Sequence, residues 1–554
     1  MTGPTVDIRS AGLAAETEPL VSRLVQQRVA SALAAADPTL WGTQAQHEAA
    51  KRLSWVRLPE TSRPLLADIE ALRRQLHADG IDRVVLAGMG GSSLAPEVIC
   101  ATAGMTARPG GLTVLDTTDP GQVADALAGD LERTVLVVSS KSGTTVETDS
   151  HRRVFTAAFA DAGLDPARHL VAVTDPGSPL QHAAERAGYR AVITADPDVG
   201  GRYSALSAFG LVPAGLAGAD VARLLDEAAD VAATLAADAE TNPALQLAAA
   251  LASSHAGGAE KIILADTGSG IVGFADWAEQ LIAESTGKQG TGLLPVVVES
   301  PAAAGFADAG GDATPTGVGP TEESAAVSVA ATLGGQFLLW QHAVAIAGRL
   351  LGINPFDQPD VEAAKAATRE LLDTGATDAG EPAFVDGDIA VHAPGDWLPA
   401  GTRTVDDALA ALLRAAPDRG YLAVQAYLDR LADASAAVLR SELARRCAGA
   451  RPGRGGLQTT FGWGPRYLHS TGQYHKGGHQ NGAFLQLSGD TDEDMAVPGT
   501  TFTLGGLQLA QAAGDGHVLA QLGRPVLRLH FADRAAGLVQ LVRTVQRFGR
   551  ESQA

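Results

Sequence analysis

The stretch that decides the fold is residues 135–148, which reads VLVVSSKSGTTVET. A run of apolar, mostly β-branched residues ends in hydroxyl side chains around one lysine and one glycine, and apolar residues then return at helical spacing. This pattern predicts a buried strand, a tight turn and the N-terminus of a helix. Because the N–H groups and the dipole of a helix N-terminus favour an anion, we predict a site for a phosphorylated small molecule there. The alternative is that the hydroxyls only cap the helix. The hydroxyl donors in this stretch are Ser140, Ser142, Thr144 and Thr145.

The composition limits the kinds of partner. The chain has 554 residues, enough for two or more domains, and a formal net charge of −21, so a broad surface for nucleic acid or an acidic membrane is not expected. Its two cysteines, Cys100 and Cys447, exclude a disulfide framework, and its first residues lack a signal-peptide pattern. We therefore expect a cytoplasmic protein. Residues 325–352 are apolar but carry polar interruptions, which favours a buried helix over a membrane span.

Apolar runs alternate with helical patterns along much of the chain. This alternation predicts an α/β fold in which a parallel sheet is covered by helices on both faces. Helical patterns fill residues 1–75, one acidic helix is predicted over 218–241, and the Ala-, Gly-, Pro- and Thr-rich residues 301–324 predict a loop or linker. The runs predicted as strands are 84–87, 112–115, 134–138, 170–173 and 191–193, then 261–266 and 294–298, and later 421–427, 483–487 and 525–529.

Two glycine-rich turns carry further candidate residues. Residues 84–96 read VVLAGMGGSSLAP, a strand and a glycine turn into a helix, where Gly91 would let a ligand approach the backbone and Ser92 would donate to it. A purely structural turn is one alternative, and a dinucleotide-binding turn is another, although Ser93 replaces its third glycine. The segment VGGRYSALS places Arg202 after two glycines, where it can meet a developing anion unless it is a surface arginine.

Two helical segments hold a candidate base and its neighbours. Glu284 lies in the last turn of the helix predicted for residues 274–288, where the helix dipole disfavours a carboxylate. Partial burial there would raise its pKa, as a general base requires, and the alternative is an exposed glutamate. Gln358 and Lys365 lie two turns apart on about the same face, where residues 354–365 open a helix after a proline. A capped surface helix is the alternative.

Three histidines stand close together in residues 468–479, which read LHSTGQYHKGGH. A zinc site from His469, His475 and His479 is conceivable, although no cysteine is near and the segment has no helical register. The sequence contains neither a Gly-x-Ser-x-Gly elbow nor a Walker A lysine, so a hydrolase triad and a nucleotide P-loop are not predicted.

Together, these segments resemble the phosphoglucose isomerase family, which is built from two sugar-isomerase (SIS) domains. The likeness is to the long bacterial form, related to the isomerase half of transaldolase/phosphoglucose isomerase fusions. It implies an α/β fold of two SIS-type domains, each a mainly parallel sheet flanked by helices in three layers, with an N-terminal helical segment and a C-terminal extension. The expected divisions are 1–75 (helical), 76–215 (first SIS domain, binding the sugar phosphate), 216–395 (second SIS domain) and 396–554 (completing the second domain and the active site).

The resemblance also implies a role for each candidate residue in the reversible isomerisation of glucose 6-phosphate and fructose 6-phosphate. Glu284 would move a proton between C2 and C1, Arg202 would stabilise the enediolate, and His469 would assist ring opening. Lys365 would lie near the ring oxygen, and Gln358 would hydrogen-bond the substrate. Neither a metal nor an organic cofactor is implied. The remaining substrate contacts would be Gly91, Ser92, Ser140, Lys141, Ser142 and Thr145.

The order of the motifs departs from the family pattern. In most of the family the histidine segment precedes the lysine segment, whereas here the order is Glu284, Lys365, His469. The histidine must therefore return to the site from a late position in the chain. His342 stands in the usual interval, but its apolar surroundings favour a buried structural histidine. In the family the histidine often comes from the neighbouring subunit, which implies a homodimer.

The activity expected from the resemblance is isomerisation through a cis-enediol, in glycolysis and gluconeogenesis. One alternative is a dual isomerase that also accepts mannose 6-phosphate, because tolerance at C2 depends on the shape of the pocket. Another is a non-catalytic SIS-domain sensor of sugar phosphates. Such a sensor needs the phosphate loop but not Glu284, Arg202 and Lys365 together.

Overall fold

The computed structural model describes residues 3–106, 111–374, 380–451 and 456–548, which form three separate β-sheets with helices packed against them. The strands are β1 (Thr5–Ile8), β2 (Arg83–Gly88), β3 (Leu112–Leu115), β4 (Thr134–Ser139), β5 (Leu170–Thr174), β6 (Ala191–Thr194), β7 (Lys261–Asp266), β8 (Leu294–Val297), β9 (Ala313–Val318), β10 (Val327–Ala330), β11 (Phe384–Asp386), β12 (Ile389–His392), β13 (Tyr421–Tyr427), β14 (Gln458–Trp463), β15 (Gly482–Gly489) and β16 (Val526–Phe531).

The α-helices follow in the same order. They are α1 (Ala11–Gln26), α2 (Val29–Ala34), α3 (Gly42–Ala49), α4 (Leu58–Thr61), α5 (Leu65–Ala78), α6 (Leu94–Thr102), α7 (Pro120–Leu127), α8 (Val146–Asp161), α9 (Pro166–His169), α10 (Pro179–Arg186), α11 (Ala208–Leu216), α12 (Val221–Leu235), α13 (Pro243–Ala256), α14 (Phe274–Thr286), α15 (Leu333–Leu351), α16 (Glu362–Thr374), α17 (Val405–Ala415), α18 (Val438–Arg446), α19 (Gly472–Gly477), α20 (Leu504–Gln521) and α21 (Arg534–Arg547).

The first sheet has the strand order β3-β2-β4-β5-β6, and every pairing in it is parallel. All positions of β4 are buried, as expected of a parallel strand that helices cover on both faces. The five runs predicted as strands in this region are confirmed. Because the strands are parallel, the loops that follow β2, β4 and β6 leave the same edge of the sheet.

The second sheet has the order β1-β10-β9-β7-β8, with β1 antiparallel to β10 and the other pairings parallel. Three expectations are corrected here. Residues 1–75 contain β1 as well as helices, and residues 301–324, predicted as a loop, contain β9. Residues 325–352 hold β10 before the buried helix α15. Composition misled the prediction for β9, because its Pro and Thr residues are typical of loops but are paired here by neighbouring strands on both sides.

The third sheet has the order β11-β12-β16-β15-β13-β14, and β13–β16 are parallel to one another. β13–β16 bond to one another, and β16 bonds to β12, in a sheet separate from the first two. The expectation that residues 396–554 complete the second domain stays a prediction. The three late runs predicted as strands, 421–427, 483–487 and 525–529, are confirmed as parts of this sheet. The exact domain boundaries stay a prediction.

Apolar side chains join the three sheets. Leu86 of β2 and Leu264 of β7 belong to one buried cluster, and Ile263 of β7 shares another with Phe484 of β15. Burying each such side chain contributes about 1.5–3 kcal/mol relative to leaving it exposed. Among the described helices, none combines the length and the apolar character needed to cross a membrane, and the long apolar helix α15 is instead packed inside the protein.

Close packing of α15 on α12 yields a stability prediction. A Cβ at Gly334 of α15 would lie 2.1 Å from the carbonyl oxygen of Leu224 on α12, so Gly334→Ala must push the helices apart. We expect this variant to lower the free energy of unfolding by about 1–3 kcal/mol, measured by urea denaturation followed by circular dichroism. The matched control is Gly311→Ala, because nothing lies within 4 Å of a Cβ there. Equal stability of the two variants would contradict the close approach.

Candidate active site

The loop between β4 and α8 has the predicted strand, turn and helix geometry. Gly143 adopts a φ of +69°, and a Cβ there would lie 2.8 Å from the backbone nitrogen of Leu180, so the turn requires glycine. Ser140 Oγ accepts from the Gly143 N–H at 3.1 Å and lies 3.0 Å from Thr145 Oγ1. Thr145 is the N-cap of α8, yet among the described contacts its hydroxyl does not cap the helix. Helix capping therefore does not account for this hydroxyl, and the first turn of α8 keeps donors for an anion.

Lys141 lies in this loop with its ammonium group already paired. Its Nζ donates to Asp175 Oδ2 at 2.5 Å and to the carbonyl oxygen of Pro197 at 3.0 Å. Burial raises the pKa of Asp175, and the charge of Lys141 opposes that shift. The lysine side chain thus connects the loop after β4 with the segments after β5 and β6. Because its ammonium group is already paired, its backbone is the part that can contact a ligand.

The loops after β2 and β6 pack against each other. Residues 90–92 and 201–203 each form a short 3-10 turn, and a Cβ at Gly91 would lie 1.9 Å from the carbonyl oxygen of Gly201. The Ser204 hydroxyl donates to the carbonyl oxygen of Gly91 at 3.3 Å. Gly91 is therefore required for the approach of two backbone segments, which places the buried Ser92 beside the Arg202 turn.

Arg202 is buried in the centre of the candidate site, with 4% of its side chain exposed. Its guanidinium donates to two backbone carbonyls of the 354–358 segment and to side chains on that segment and on α14. A surface arginine, the alternative left by the sequence, is wrong. The acceptors are Pro355 O (2.8 Å), Asp357 O (2.9 Å), Gln358 Oε1 (3.0 Å), Ser285 Oγ (3.0 Å) and Glu284 Oε2 (3.4 Å).

Glu284 lies in the last turn of α14, and 12% of its side chain is exposed. Its Oε2 is 3.4 Å from Arg202 Nη1 and 3.4 Å from Gln280 Nε2. Burial raises the pKa of Glu284, while the nearby charges of Arg202, His469 and Lys288 oppose that shift. The raised pKa expected from the sequence is confirmed in direction, and an exposed helix glutamate is wrong. A carboxylate with a raised pKa takes up a proton more readily than an exposed one, as a general base requires.

His469 does return to the site from its late position. It ends a 3-10 turn at residues 466–469, and its Nε2 lies 3.0 Å from Glu147 Oε1 on α8. Its backbone carbonyl accepts from Gln280 Nε2 at 2.9 Å, so the glutamine that contacts Glu284 also contacts the histidine segment. Burial would raise the pKa of Glu147, but the charge of His469 and its hydrogen bond lower it overall. Gln511 Nε2 also donates to Glu147 Oε1 at 2.7 Å.

One end of the 354–365 segment lies in the candidate site and the other end lies at the protein surface. Gln358 contacts Arg202, but Lys365 lies on α16 with 47% of its side chain exposed and donates to Glu362 at 2.7 Å. The buried lysine in this region is Lys288, which donates to the carbonyl oxygens of Asn354 and Asp357 at 2.8 and 2.6 Å. Burial lowers the pKa of Lys288 to about 8. Lys288 thus holds the segment that presents Gln358.

Sequence reasoning missed Gln280 and Glu147. Gln280 lies one helical turn before Glu284, a spacing that could have suggested a shared face of α14. Glu147 lies in the first turn of α8, where an acidic residue is normally explained by the helix dipole. No local pattern distinguishes such a glutamate from a buried partner of a histidine 322 positions away.

The other histidines have structural partners. His475 Nδ1 lies 3.0 Å from Tyr421 Oη, and His479 Nδ1 lies 3.0 Å from Glu260 Oε2, so neither shares the partner of His469. The described residues contain no group of three His, Cys, Asp or Glu side chains that could hold a metal, which counts against the zinc alternative. His342 packs edge-to-face on Trp55 at 5.1 Å, and burial lowers its pKa to about 3, as expected of a structural histidine.

Comparison with known proteins finds similarity mainly in the first half of the chain. Residues 73–315 match the family model described as phosphoglucose isomerase. The glucose-6-phosphate isomerase of Thermosynechococcus vestitus is 35% identical over 264 residues, which cover 42% of this chain and 49% of that protein. The glucose-6-phosphate isomerase of Acaryochloris marina is 36% identical over 238 residues, covering 40% and 45%. The chain thus spans about half the length of these relatives.

Two solved structures share the fold. A hypothetical protein from Thermus thermophilus superposes with a TM-score of 0.55 at 26% identity, over 67% of this chain and 99% of that one. A glucose-6-phosphate isomerase from Chlamydia trachomatis superposes with a TM-score of 0.52 at 20% identity, over 68% and 89%. At that identity the second likeness concerns the fold.

The matched segment contains the part of the site that the first two sheets supply. The loop 140–145, Arg202 and Glu284 lie within residues 73–315, whereas Gln358 and His469 lie beyond them. The motifs, the sequence matches and the fold agree in this segment. Residues 73–315 of the chain are similar to the phosphoglucose isomerase family, as the motifs predict.

Proposed function

We propose that the protein is a glucose-6-phosphate isomerase, which interconverts glucose 6-phosphate and fructose 6-phosphate through a cis-enediol. The observation that carries the proposal is the buried pair of Glu284 and Arg202, 3.4 Å apart. An aldose–ketose isomerase needs a base beside a fixed positive charge, because the base generates an anionic enediolate that must be stabilised. A protein that only senses a sugar phosphate needs neither group, so this pair does not favour the sensor.

The phosphate group of the substrate would bind at the start of α8. Ser140, Ser142 and Thr145 lie in the loop that leads into that helix, where their hydroxyls can donate to an anion and the helix dipole adds attraction for it. With a net charge of −21, the whole chain repels an anion, so local donors must hold it. Gly91 and Ser92, on the same edge of the first sheet, would line the sugar.

Ring opening would use His469. Opening the ring of glucose 6-phosphate moves a proton from the hydroxyl on C1 to the ring oxygen, and an imidazole can do both transfers near neutral pH. Glu147 contacts Nε2, so Nδ1 is the nitrogen that would exchange the proton. The buried carboxylate would orient the ring. The role of Lys365 near the ring oxygen stays a prediction, because its ammonium contacts Glu362.

The isomerisation step would use Glu284. Its carboxylate would remove the proton from C2 of the open-chain aldose and, once protonated, return it to C1. The hydroxyl proton on the C2 oxygen would pass to the C1 oxygen, so that the carbonyl moves from C1 to C2. Arg202 would stabilise the negative charge of the enediolate, and guanidinium suits this role because it does not lose its own proton. Gln358, which Arg202 contacts at 3.0 Å, would hydrogen-bond the substrate.

The finer parts of the proposal are the location, the assembly and the substrate range. A cytoplasmic, homodimeric enzyme of glycolysis and gluconeogenesis is the expectation from the sequence and stays a prediction. Acceptance of mannose 6-phosphate depends on contacts at C2, and its formation from fructose 6-phosphate would reveal it.

The first test follows fructose 6-phosphate in heavy water by proton NMR. We expect the wild-type protein to form glucose 6-phosphate with deuterium at C2, and Glu284→Gln to lower kcat by about 10²–10⁴-fold with KM little changed. The matched control is Glu279→Gln on the same helix, because burial raises the pKa of Glu279 to about 8 and glutamine resembles its neutral form. Mannose 6-phosphate as a product would indicate dual specificity. Unchanged substrate that nonetheless binds would overturn the proposal.

The pH dependence follows from the raised pKa of Glu284. The base acts when ionised, so kcat/KM is full above that pKa and is lost as the pH falls through it. The acid limb of a plot of log kcat/KM against pH should therefore lie above the ordinary range of a glutamate. The charge of His469 opposes the shift, so in His469→Gln the limb should move to higher pH. A limb that moves to lower pH in this variant would contradict the assignment.

The position of His469 within the same chain predicts how inactive variants behave when mixed. Glu284→Gln and His469→Ala remain inactive together if each site takes both residues from one chain, as the contact of His469 with Glu147 indicates. A histidine supplied by a neighbouring subunit would instead restore about a quarter of the wild-type activity in an equal mixture, through one complete site in each mixed dimer. The measurement is specific activity after the variants are unfolded together and refolded, with wild type treated in the same way.

A further inference from the structure

Arg466 joins the third-sheet part of the chain to the first sheet. Its Nη2 lies 2.6 Å from Glu97 Oε2 on α6, and its Nη1 lies 3.0 Å from Asp116 Oδ2 just after β3. The arginine side chain is 14% exposed and that of Asp116 is 2% exposed. Two ion pairs that are shielded from water in this way hold their groups in a defined geometry far better than exposed pairs do.

The arginine begins the same 3-10 turn that His469 ends. This turn spans residues 466–469 and follows the end of β14. Between the two residues, the Tyr467 hydroxyl donates to Asp515 Oδ2 at 2.6 Å, on α20. The turn is thus held to the first sheet at Arg466, to its own domain at Tyr467, and to α8 through the contact of His469 with Glu147.

The ion pairs of this attachment favour the charged forms of Glu97 and Arg466. Although burial opposes both shifts, Arg466 and Arg430 lower the pKa of Glu97 to about 2, and Asp116 and Glu97 raise the pKa of Arg466. Removing the arginine would leave buried carboxylates without their main partner, and the turn would lose its link to α6 and β3.

We propose that Arg466 is a positioning residue that sets the location of His469 and thereby controls ring opening. This inference rests on the proposed function, because it assigns Arg466 a role through the histidine. The effect of replacing Arg466 should be confined to steps that need the imidazole. Displacing a catalytic group by about 1 Å can cost on the order of 100-fold in rate. The phosphate group would instead bind to residues 140–145, to which no described hydrogen bond joins the turn.

Arg430 offers a matched comparison. It also belongs to the third-sheet part and contacts the same glutamate, with its Nη1 2.7 Å from Glu97 Oε1, but it follows β13 and is not on the histidine turn. If the ion pairs only dock the third sheet against the first, Arg430→Gln and Arg466→Gln should have similar effects. If Arg466 positions His469, the two variants should differ in ring opening.

The experiment compares wild type, Arg430→Gln and Arg466→Gln in three measurements. These are kcat and KM with glucose 6-phosphate, the exchange of its α and β anomers by NMR, and the Kd of 5-phosphoarabinonate, an open-chain acid that binds without ring opening. For Arg466→Gln we expect anomer exchange and kcat to fall by about 10–100-fold, with the Kd within about 2-fold of wild type. Arg430→Gln should change all three by less than about 3-fold.

Two results would overturn the inference: equal losses in the two variants, or a loss of 5-phosphoarabinonate binding in Arg466→Gln as large as the loss of kcat. Should Arg466→Gln fail to fold, Arg466→Lys takes its place, because a lysine keeps the charge but cannot pair with both carboxylates through a planar fork. It should show a smaller loss confined to the same two rates. Wild type that neither isomerises nor anomerises glucose 6-phosphate would refute the proposed function, whereas an active wild type with an unimpaired Arg466→Gln would refute only this inference.

Discussion

The buried guanidinium of Arg202 is the constraint on which the site depends. A charge in the interior is tolerated when its donors are satisfied, so the turn after β6, helix α14 and the 354–358 segment must meet where five acceptors surround it. Their meeting places Glu284 and Gln358 beside a cation that keeps its charge. Lys288 strengthens the arrangement by binding the 354–358 segment from the other side. The same contacts that allow the arginine to be buried therefore define the chemistry available there.

The third sheet adds His469, the proposed group for ring opening, to this framework. Its 466–469 turn carries His469 to Glu147 on α8, and Gln280 connects the histidine carbonyl with Glu284. Glu284 and His469 thus share a neighbour, although Glu284 lies in the segment that matches the family and His469 lies well beyond it. Chain order has little bearing on such a site, because proton transfer depends on distance and orientation rather than on sequence position.

Elements with strong local patterns were predictable from the sequence. The five strands of the first sheet are apolar runs bounded by turns, and each was predicted within about two residues of its observed ends. β1 and β9 were not predicted, because a four-residue strand with alternating polar residues and a strand containing Pro and Gly have no such pattern. Their pairing is supplied by distant segments: Thr5 of β1 lies opposite Ala330 of β10. Three strands of the third sheet, β13, β15 and β16, were recognised, but the short β11 and β12 and the polar β14 were not.

The candidate site also has a part that local sequence patterns predict and a part that they do not. The geometry of the loop between β4 and α8 was recognisable because strand, glycine turn and helix N-terminus lie close together in the sequence and are governed by local backbone preferences. The burial and pairing of charged groups could not be recognised from the sequence, because they arise from contacts between segments separated by tens to hundreds of residues. The tertiary structure therefore decides that Glu284 is buried and that Lys365 pairs with Glu362 at the surface. It also decides that His469 contacts Glu147 instead of solvent. The sequence by itself determines which side chains have suitable acid–base or hydrogen-bonding groups. Only the tertiary structure decides which of them are buried together, because burial and nearby charges depend on contacts between distant segments.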